Sequence, residues 1–339
     1  MNVVQRSESP LAECVGSIAA NLASQQLRSG LIPWFRGGHG DPWNHTEALL
    51  ALLASGYEKE ASHAMEWLLD HQNADGSFCQ YYLERGVEEP RRDLNVMAYP
   101  LVAAWIFVAS NRLGRRRADL VAMSARIVRY LLHAQRPDGT FPFAIDPDGR
   151  PHDMALLTAN ASIATSLEAG RRLLAVSGHD TRAIDRGLEQ LRAALVASPS
   201  RFVDKSDWAM DSYYLHFAGV NDPDRLSHDR RRVLVRHLDR SRGIRCLGSK
   251  SWYTSAESAE FAMALLLSGD RAGACALLRS LRWFIEPSGG VLTGRTAPSG
   301  VSFPHGEHTT YSQAAVILAD SLYASGAKGS FHEGIRQVT

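Results

Sequence analysis

Residues 37 to 47, with the sequence GGHGDPWNHTE, bring together several side chains that could take part in catalysis or binding. The stretch holds two histidines, two carboxylic acids, an asparagine and a tryptophan, and it leads directly into an apolar helical run. Asp41 and Pro42 fit the N-cap and the first position of that helix. Capping gives no reason for Trp43 or for the histidines on either side of it, so the stretch needs a second role.

Five more stretches combine acids with aromatic residues or histidines. They are RRDLNVMAY (91–99), PHDMALL (151–157), SDWAMDSYY (206–214), WYTSAESAE (252–260) and FPHGEHTTY (303–311). Asp93, Asp153 and Asp207 are also acceptable N-caps, and Thr254 with Glu257 fits a capping box. A cap does not require tryptophan, tyrosine and histidine beside it, so capping explains only part of each cluster.

Glu47, Asp211 and Glu260 lie about one turn inside the helix starts, where capping no longer explains them. An acid turned into a protein interior is costly unless its surroundings are wet or compensate its charge. Paired carboxylic acids suit glycoside chemistry, in which one acid protonates the leaving oxygen and the other activates water or attacks carbon. Aromatic faces can stack on sugar rings while polar side chains bond the hydroxyl groups. These residue types therefore favour a carbohydrate cleft.

The elements that position these clusters are predicted to be helices, because apolar residues recur at helical spacing along most of the chain. The segment WLLDHQNADGSF (67–78) returns as YLLHAQRPDGTF (130–141), with weaker echoes at 26–34 and 283–292. Each copy has a glycine at the end of its helix, where a left-handed conformation is expected. Repeats of this size indicate stacked helix pairs that cannot bury their apolar faces alone.

Six such pairs predict an all-α (α/α)6 barrel, a toroid of six inner and six outer helices. The less polar, inner helices are predicted at about 45–55, 94–110, 153–172, 207–218, 254–268 and 307–324. The more amphipathic, outer helices are predicted at about 10–27, 59–72, 118–134, 182–197, 223–238 and 271–284. We expect one domain over residues 1–339, with 325–339 as a C-terminal tail. The inner amino termini should then meet at one mouth, which is where a ligand pocket is expected.

Composition and motifs exclude several other classes of function. A formal net charge of +1 provides no field that would attract nucleic acid or an anionic membrane. The longest apolar run, at 101–109, is too short to span a bilayer, and the amino terminus has no signal-peptide pattern. Four cysteines without a CxxC spacing suit free thiols in a reducing compartment. We therefore expect a soluble, cytoplasmic protein.

Motifs for metal or cofactor chemistry are also missing from the sequence. His305-Gly-Glu-His308 lacks the HExxH spacing, which favours a structural role or substrate hydrogen bonding over zinc. GxSxG, a P-loop and a GxGxxG after a strand do not occur. We expect no metal and no cofactor.

The QxxDGSF-type repeat resembles the toroids of terpene cyclases and protein prenyltransferases. The acidic DxDD motif of the class II cyclases is missing, and no cysteine follows an aspartate at the Asp-x-Cys spacing that the prenyltransferases use for zinc. A closer resemblance, from about residue 30 to 324, is to soluble actinobacterial proteins known as prenyltransferase-repeat proteins. The patterns that carry it are IPWFRGGHGDPWNH, WLLDHQNADGSF, DLNVMAY, DWAMDSYY and SAESAE. Similarity to their methylmannose polysaccharide hydrolases implies an endo-acting α-mannosidase.

From these arguments we expect a glycoside hydrolase that cleaves an α-linked, mannose-rich intracellular polysaccharide. Asp41 and Glu260 are the predicted catalytic acids, and Glu257 is the next candidate. The predicted substrate-binding residues are Trp34, His39, Trp43, His45, Glu47, Tyr82, Asp93, Asp153, Asp207, Asp211, Tyr214, Trp252, His305 and Tyr311. The expected partner is the oligo- or polysaccharide substrate, and the sequence does not indicate an oligomeric state.

Other functions stay open at this point. An isoprenoid cyclase or transferase would use the same toroid cavity with an unrecognised acid. A lyase would use Tyr214, Tyr311 or His45 as its base. A carrier of polysaccharide or lipid would need the aromatic residues but not the pair of acids.

Overall fold

Helices make up most of the fold. The computed structural model describes residues 9–112, 114–197, 199–326 and 331–338. Its α-helices are α1 (Val15–Ala23), α2 (Pro42–Ala54), α3 (Glu58–His71), α4 (Leu94–Ala98), α5 (Pro100–Ala109), α6 (Arg117–Ala134), α7 (Leu157–Val176), α8 (Arg182–Ala197), α9 (Met210–Tyr213), α10 (Pro223–Arg236), α11 (Ser255–Leu267), α12 (Arg271–Ser280), α13 (Thr310–Ser325) and α14 (Phe331–Val338). Short 3-10 helices lie at Gly114–Arg116, Pro199–Arg201, Tyr214–His216 and Leu281–Trp283.

The predicted helices are confirmed, with changes at two inner positions. The helix expected over 94–110 is divided into α4 and α5 at Pro100, whose ring fits the first position of a new helix. The helix expected over 207–218 shortens to α9 and the 3-10 helix Tyr214–His216. Residues 331–338, inside the predicted tail, form α14, which contacts α5 and α13.

Burial separates the helices into two sets. Helices α2, α5, α7, α11 and α13 are buried on nearly every side, whereas α3, α8, α10 and α12 bury one face. This is the behaviour expected of apolar core helices and amphipathic surface helices. These buried helices and the short helices α4 and α9 contact one another in a closed order. The order runs from α2 through α4 and α5, α7, α9, α11 and α13 back to α2.

Short antiparallel strands lie in the loops between the helices. They are β1 (Tyr81–Leu83), β2 (Gly86–Glu89), β3 (Arg92–Asp93), β4 (Ala144–Ile145), β5 (Leu238–Asp239), β6 (Gly243–Arg245), β7 (Trp252–Thr254) and β8 (Gly294–Thr296). Strand β1 pairs with β2 and β3 with β4, while β5 to β8 form one sheet in chain order. Because β3 runs directly into α4 and β7 into α11, these pairings fix where the two helices begin.

In three of the four repeat copies, a glutamine joins one outer helix to the next. The side-chain amides of Gln26, Gln72 and Gln135 each donate to the carbonyl of the glycine four residues later. The same amides donate to carbonyls of α3, α6 and α8, respectively, at 2.9–3.1 Å. The repeat therefore encodes a contact between neighbouring helix pairs.

The glycine of each repeat allows this approach. Gly30, Gly76, Gly139 and Gly289 have φ between +82° and +95°, in turns that follow an outer helix. A Cβ on each would lie 2.2–2.7 Å from a main-chain oxygen of the next outer helix, and for Gly289 that helix is α1. Such contacts are too short for a real Cβ, so these turns require glycine for space as well as for conformation.

None of the described helices combines the length and apolar character needed to cross a membrane.

Replacing Gly76 by alanine should destabilise the fold more than replacing Gly56 does. Gly56 has a similar φ of +83° but open space around it, whereas a Cβ on Gly76 would lie 2.7 Å from the Arg126 carbonyl oxygen. We expect Gly56→Ala to cost about 1–2 kcal/mol from the left-handed conformation. Gly76→Ala should cost about 1–3 kcal/mol more from overpacking. Urea unfolding of both variants measures the difference, and equal midpoints would contradict the close-approach argument.

Candidate active site

A cavity of about 300 Å³ lies where the amino-terminal ends of the buried helices meet. Residues from the starts of α2, α4, α7, α9, α11 and α13 line it, together with the loops that precede them. The lining residues are Trp34, Asp41, Trp43, Asn44, Gln80, Tyr81, Asp93, Asn95, Val96, Thr158, Met210, Tyr214, Trp252, Thr254, Ala256, Glu257, Glu260, Thr293 and Tyr311. The predicted convergence of helix starts on one pocket is therefore present.

Asp41 is held at the start of α2 by four hydrogen-bond donors. Its Oδ1 accepts from the backbone amides of Trp43 and Asn44, at 2.8 and 2.9 Å. Its Oδ2 accepts from the Trp34 indole and from the Asn44 side chain, at 2.5 and 2.6 Å. Burial raises the pKa of Asp41, and these bonds act in the opposite direction. Because all four partners donate, the surroundings suit the charged carboxylate.

Asp93 occupies the equivalent place at the start of α4. Its Oδ1 accepts from the amides of Asn95 and Val96, at 3.0 and 3.1 Å. Burial, with a contribution from the charge of Asp41, raises the pKa of Asp93 to about 7. Asp41 and Asp93 therefore form one acidic pair at the cavity wall.

Glu257 and Glu260 form a second acidic pair, on α11. Glu260 is 6 % exposed and accepts hydrogen bonds from the hydroxyls of Tyr213 and Tyr214, the latter at 2.7 Å. Burial and the nearby charges of Glu257 and Glu47 raise the pKa of Glu260 to about 8. Glu257 lies one turn nearer the amino terminus of α11. A pKa of about 8 favours the protonated form of Glu260, the deeper of the two acids, at neutral pH.

Glu47 lies beneath the cavity and does not line it. Its carboxylate accepts from the Tyr99 hydroxyl at 2.7 Å, and burial raises its pKa to about 7. Glu47 and Glu260 line a second, smaller cavity of about 20 Å³ below the first.

Aromatic rings form much of the cavity wall. Trp43 stacks on Tyr99 with centroids 4.6 Å apart, and Trp34 makes edge contacts with Tyr81 and Tyr311 at 5.9 and 5.8 Å. Trp252 donates its indole N–H to the Phe303 carbonyl at 2.9 Å. Rings held in this way keep a fixed orientation, as a site that stacks on sugar rings requires.

Comparison with known proteins identifies the family. The MMP endo-(1,4)-3-O-methyl-alpha-D-mannosidase of Mycolicibacterium hassiacum is 32 % identical to this chain over 315 residues, which cover 92 % of this chain and 86 % of that enzyme. This chain belongs to the family of that enzyme. It is a glycoside hydrolase, and nothing in the comparisons supports an isoprenoid enzyme.

Solved structures show the same fold at low sequence identity. A glycosidase variant in complex with glucose has a TM-score of 0.71 and 14 % identity, over 94 % of this chain and 97 % of that chain. The GH63 mannosylglycerate hydrolase of Thermus thermophilus in complex with glucose has a TM-score of 0.67 and 12 % identity, over 90 % of this chain and 99 % of that chain. No protein-family model matches the hydrolase.

Of the predicted site residues, a subset comes together in the cavity. The structure places there Trp34, Asp41, Trp43, Asp93, Tyr214, Trp252, Glu257, Glu260 and Tyr311. Asp211 sits just outside, where it accepts a hydrogen bond from the hydroxyl of Thr158, a lining residue. His39 stacks on Tyr81 with centroids 4.2 Å apart and pairs with Glu88 at 3.0 Å, so it supports the wall from outside.

His45 and Tyr82 have structural roles instead of the substrate-binding roles predicted for them. His45 Nδ1 accepts from the Ile32 amide at 3.0 Å, and Nε2 donates to the Ala64 carbonyl at 2.9 Å. Burial lowers the pKa of His45 to about 4, which keeps the ring neutral. The Tyr82 hydroxyl accepts from the Cys79 amide at 2.9 Å within the core. Both side chains therefore make their hydrogen bonds to the protein backbone, outside the cavity.

Asp153, Asp207 and His305 also lie outside the cavity, contrary to the predicted binding roles. Asp153 and His305 are exposed. Asp207 accepts from the Ser249 hydroxyl and from Arg236, the latter at 2.8 Å, and these two bonds lower the pKa of Asp207 and fix the turn around Gly248. These three residues precede their helices by several positions, so loops carry them to the surface.

Several lining residues were missed by the sequence analysis, among them Gln80, Tyr81 and Thr158. Gln80 and Tyr81 lie just after the first full repeat, and the strand β1, which begins at Tyr81, returns the chain to the mouth, where Tyr82 pairs with Gly40. The repeat boundary was therefore a usable signal for this pair. Thr158, in the first turn of α7, had no neighbouring acid or aromatic residue to indicate it.

Within the ranges that the structure describes, no group of three or more histidine, cysteine, aspartate and glutamate side chains is arranged to hold a metal ion.

Asp93→Asn should weaken hydrolysis, while Asp153→Asn should leave it unchanged. Asparagine is an equally good N-cap, so α4 is retained, but an amide N–H replaces an oxygen that can accept from a sugar hydroxyl. We expect kcat/KM to fall about 10-fold or more for Asp93→Asn, as for loss of a hydrogen bond to a charged group. Steady-state kinetics on oligosaccharide measures this, and equal values for the two variants would remove Asp93 from the binding site.

Proposed function

We propose that this hydrolase cleaves internal α-(1,4) linkages of a mannose-rich, methylated polysaccharide. Two findings support the proposal: the sequence similarity to an enzyme named for that reaction, and the cavity itself. The observation that carries it is the presence of Asp41 and Glu260 in one cavity with three tryptophans. A charged and a protonated acid facing an aromatic cleft meet the needs of glycoside hydrolysis.

The cavity wall suits a sugar that carries O-methyl groups. Val96, Met210 and Ala256 line the same cavity and offer mainly apolar side-chain surface. Methyl groups against such side chains are removed from water, which is favourable by roughly 25 cal/mol for each Å² of apolar surface buried. Asn44, Asn95 and the acids remain for the free hydroxyls. The wall therefore offers both kinds of contact that a partly methylated sugar needs.

Glu260 is the proposed general acid. It donates its proton to the glycosidic oxygen as the bond between that oxygen and the anomeric carbon breaks. A raised pKa keeps the acid protonated at neutral pH, as the reaction requires.

Asp41 is the proposed partner carboxylate. It takes the proton of the water that attacks the anomeric carbon, or it stabilises the positive charge that develops there. The donors around Asp41 favour its charged form before the reaction. Glu257 is the alternative to Glu260, since it lines the same wall one turn away.

The closed order of buried helices supports the (α/α)6 toroid as the architecture of this domain. In this architecture, the recurring helix pairs account for the resemblance to prenyltransferase repeats. Helix α14 belongs to the same domain. A cytoplasmic location, which the cysteine pattern favours, completes the proposal.

Removal of either catalytic acid should abolish cleavage without unfolding the chain. We expect Asp41→Asn and Glu260→Gln each to lower kcat by about 10²- to 10⁴-fold, the usual contribution of acid or base catalysis. Mass spectrometry of products from methylated and plain α-mannooligosaccharides measures the loss, and early products of several lengths would show internal cleavage. His305→Gln, at an exposed position, is the control.

Two outcomes would contradict the assignment. Full cleavage by both acid variants would place the catalytic pair elsewhere. Intact glycans, together with cyclised or transferred products from a panel of isoprenoid diphosphates, would replace the proposed function altogether.

The pH dependence should report the proton on Glu260. Because its pKa is about 8, we expect kcat/KM to decline as the pH rises through about 8 and the acid loses its proton. The residual activity of Glu260→Gln should lack this decline, because glutamine does not titrate. A decline at the same pH in that variant would show that another group limits the reaction.

A further inference from the structure

Glu260 connects the main cavity to the smaller one beneath it. The 20 Å³ cavity is lined by Glu47, Tyr99, Ser162, Thr165, Tyr214 and Glu260, with apolar side chains around them. Trp43, Tyr214 and Glu260 line both cavities. Of the described residues that line both, Glu260 alone is a carboxylic acid. The catalytic acid proposed above is therefore open to the substrate on one side and to Glu47 on the other.

We propose that the lower cavity binds one water molecule between Glu47 and Glu260, and that Glu47 is a positioning residue that keeps Glu260 protonated until the leaving oxygen takes the proton. The inference rests on the proposed role of Glu260 as the general acid.

The size and lining of the lower cavity fit one water. To hold one water molecule, a site needs roughly 10–15 Å³ of space for a water-sized sphere and two to four polar partners. The cavity offers about 20 Å³, two carboxylic acids and the Ser162 hydroxyl, which already accepts from the Trp43 indole at 3.2 Å. Among the described residues, Tyr99 alone donates a hydrogen bond to the Glu47 carboxyl group, and it does so to Oε2. The other oxygen of Glu47 is left for the water.

Electrostatics gives Glu47 its influence on Glu260. Two carboxylic acids in one buried site resist simultaneous ionisation, so a negative charge on either one favours the proton on the other. Burial is the largest cause of the raised pKa of Glu260, and the charges of Glu257 and Glu47 raise it further. The titratable groups that face Glu260 are Tyr213, Tyr214, Glu257, Cys246, Tyr99 and Glu47. Of these, Tyr99, Tyr214 and Glu47 line the lower cavity, and Glu47 is the carboxylic acid among them.

The test compares Glu47→Gln with the unchanged enzyme. Glutamine keeps the shape and can accept from Tyr99, but it carries no charge. We expect the alkaline decline of kcat/KM to move to lower pH by roughly 1 unit, the coupling typical of interacting carboxylic acids. Infrared titration of the protonated carboxyl band that Glu260→Gln removes should show the same shift. An unmoved decline and an unmoved band in folded Glu47→Gln would overturn the proposal.

Tyr99→Phe is the second variant, in case Glu47→Gln does not fold. Loss of the Tyr99 hydroxyl removes the donor that stabilises charged Glu47, so Glu47 is charged less often and Glu260 should again titrate at lower pH. Asp320→Asn is the matched control, because Asp320 is also buried with a raised pKa but lies apart, bonded to Ser9. An identical shift in Asp320→Asn, or none in Tyr99→Phe, would count against a specific link from Glu47 to Glu260.

Separate experiments test the bound water and the hydrolysis reaction. A high-resolution crystal structure should show one water within hydrogen-bond distance of both glutamates, and a dry cavity would overturn that part. If no mannose glycan is cleaved, the proposed function fails. The infrared titration still decides whether Glu47 controls the proton on Glu260, because it needs no substrate.

Discussion

The cavity depends on how its buried acids are compensated. A carboxylic acid loses the hydration of its charge when it leaves water, so it must find donors or keep its proton. Asp41 finds backbone amides at a helix start, and these favour the charged form. Glu260 lies six residues after the N-cap of α11, beyond the free amides of that helix, and accepts its side-chain hydrogen bonds from tyrosine hydroxyls. Position along the helix thereby gives Asp41 donors that favour its charged form and leaves Glu260 in surroundings that favour its protonated form.

Asp41 and Glu260 can line one cavity because helix starts from different parts of the chain meet at one place. The outer helices set that arrangement, since each repeat turn presses its glycine against the main chain of the next outer helix. The glutamine of the turn then bonds to the same neighbour. Gly289 makes the corresponding contact with α1, so the last pair meets the first. The turns of the repeat thus help to determine where the helix starts meet.

The helix pairs could be predicted from sequence because spacing and repeats report burial over many residues. The orientation of single side chains at the site could not. Tyr81 and Tyr82 are neighbours on β1, and alternate residues of a strand face opposite ways, so Tyr81 lines the cavity while Tyr82 enters the core. His45 is four residues from Asp41 in sequence, yet its ring points to α3 and bonds to Ala64. Residue type alone does not distinguish such neighbours.

The acids show what additional information was needed. Asp41 and Asp93 are the N-caps of α2 and α4, so backbone amides hold them at the mouth. Asp153 lies four residues before α7 begins, and Asp207 lies three before α9. Beyond the cap no helix amide can fix an acid, and Asp207 binds a surface arginine instead. Sequence predicts the start of a helix only to within a few residues. An error of that size decides whether an acid is taken as an N-cap or as a loop residue. The composition of the clusters therefore indicated glycoside hydrolysis, while the position of each acid relative to its helix start decided which of them lies in the cavity.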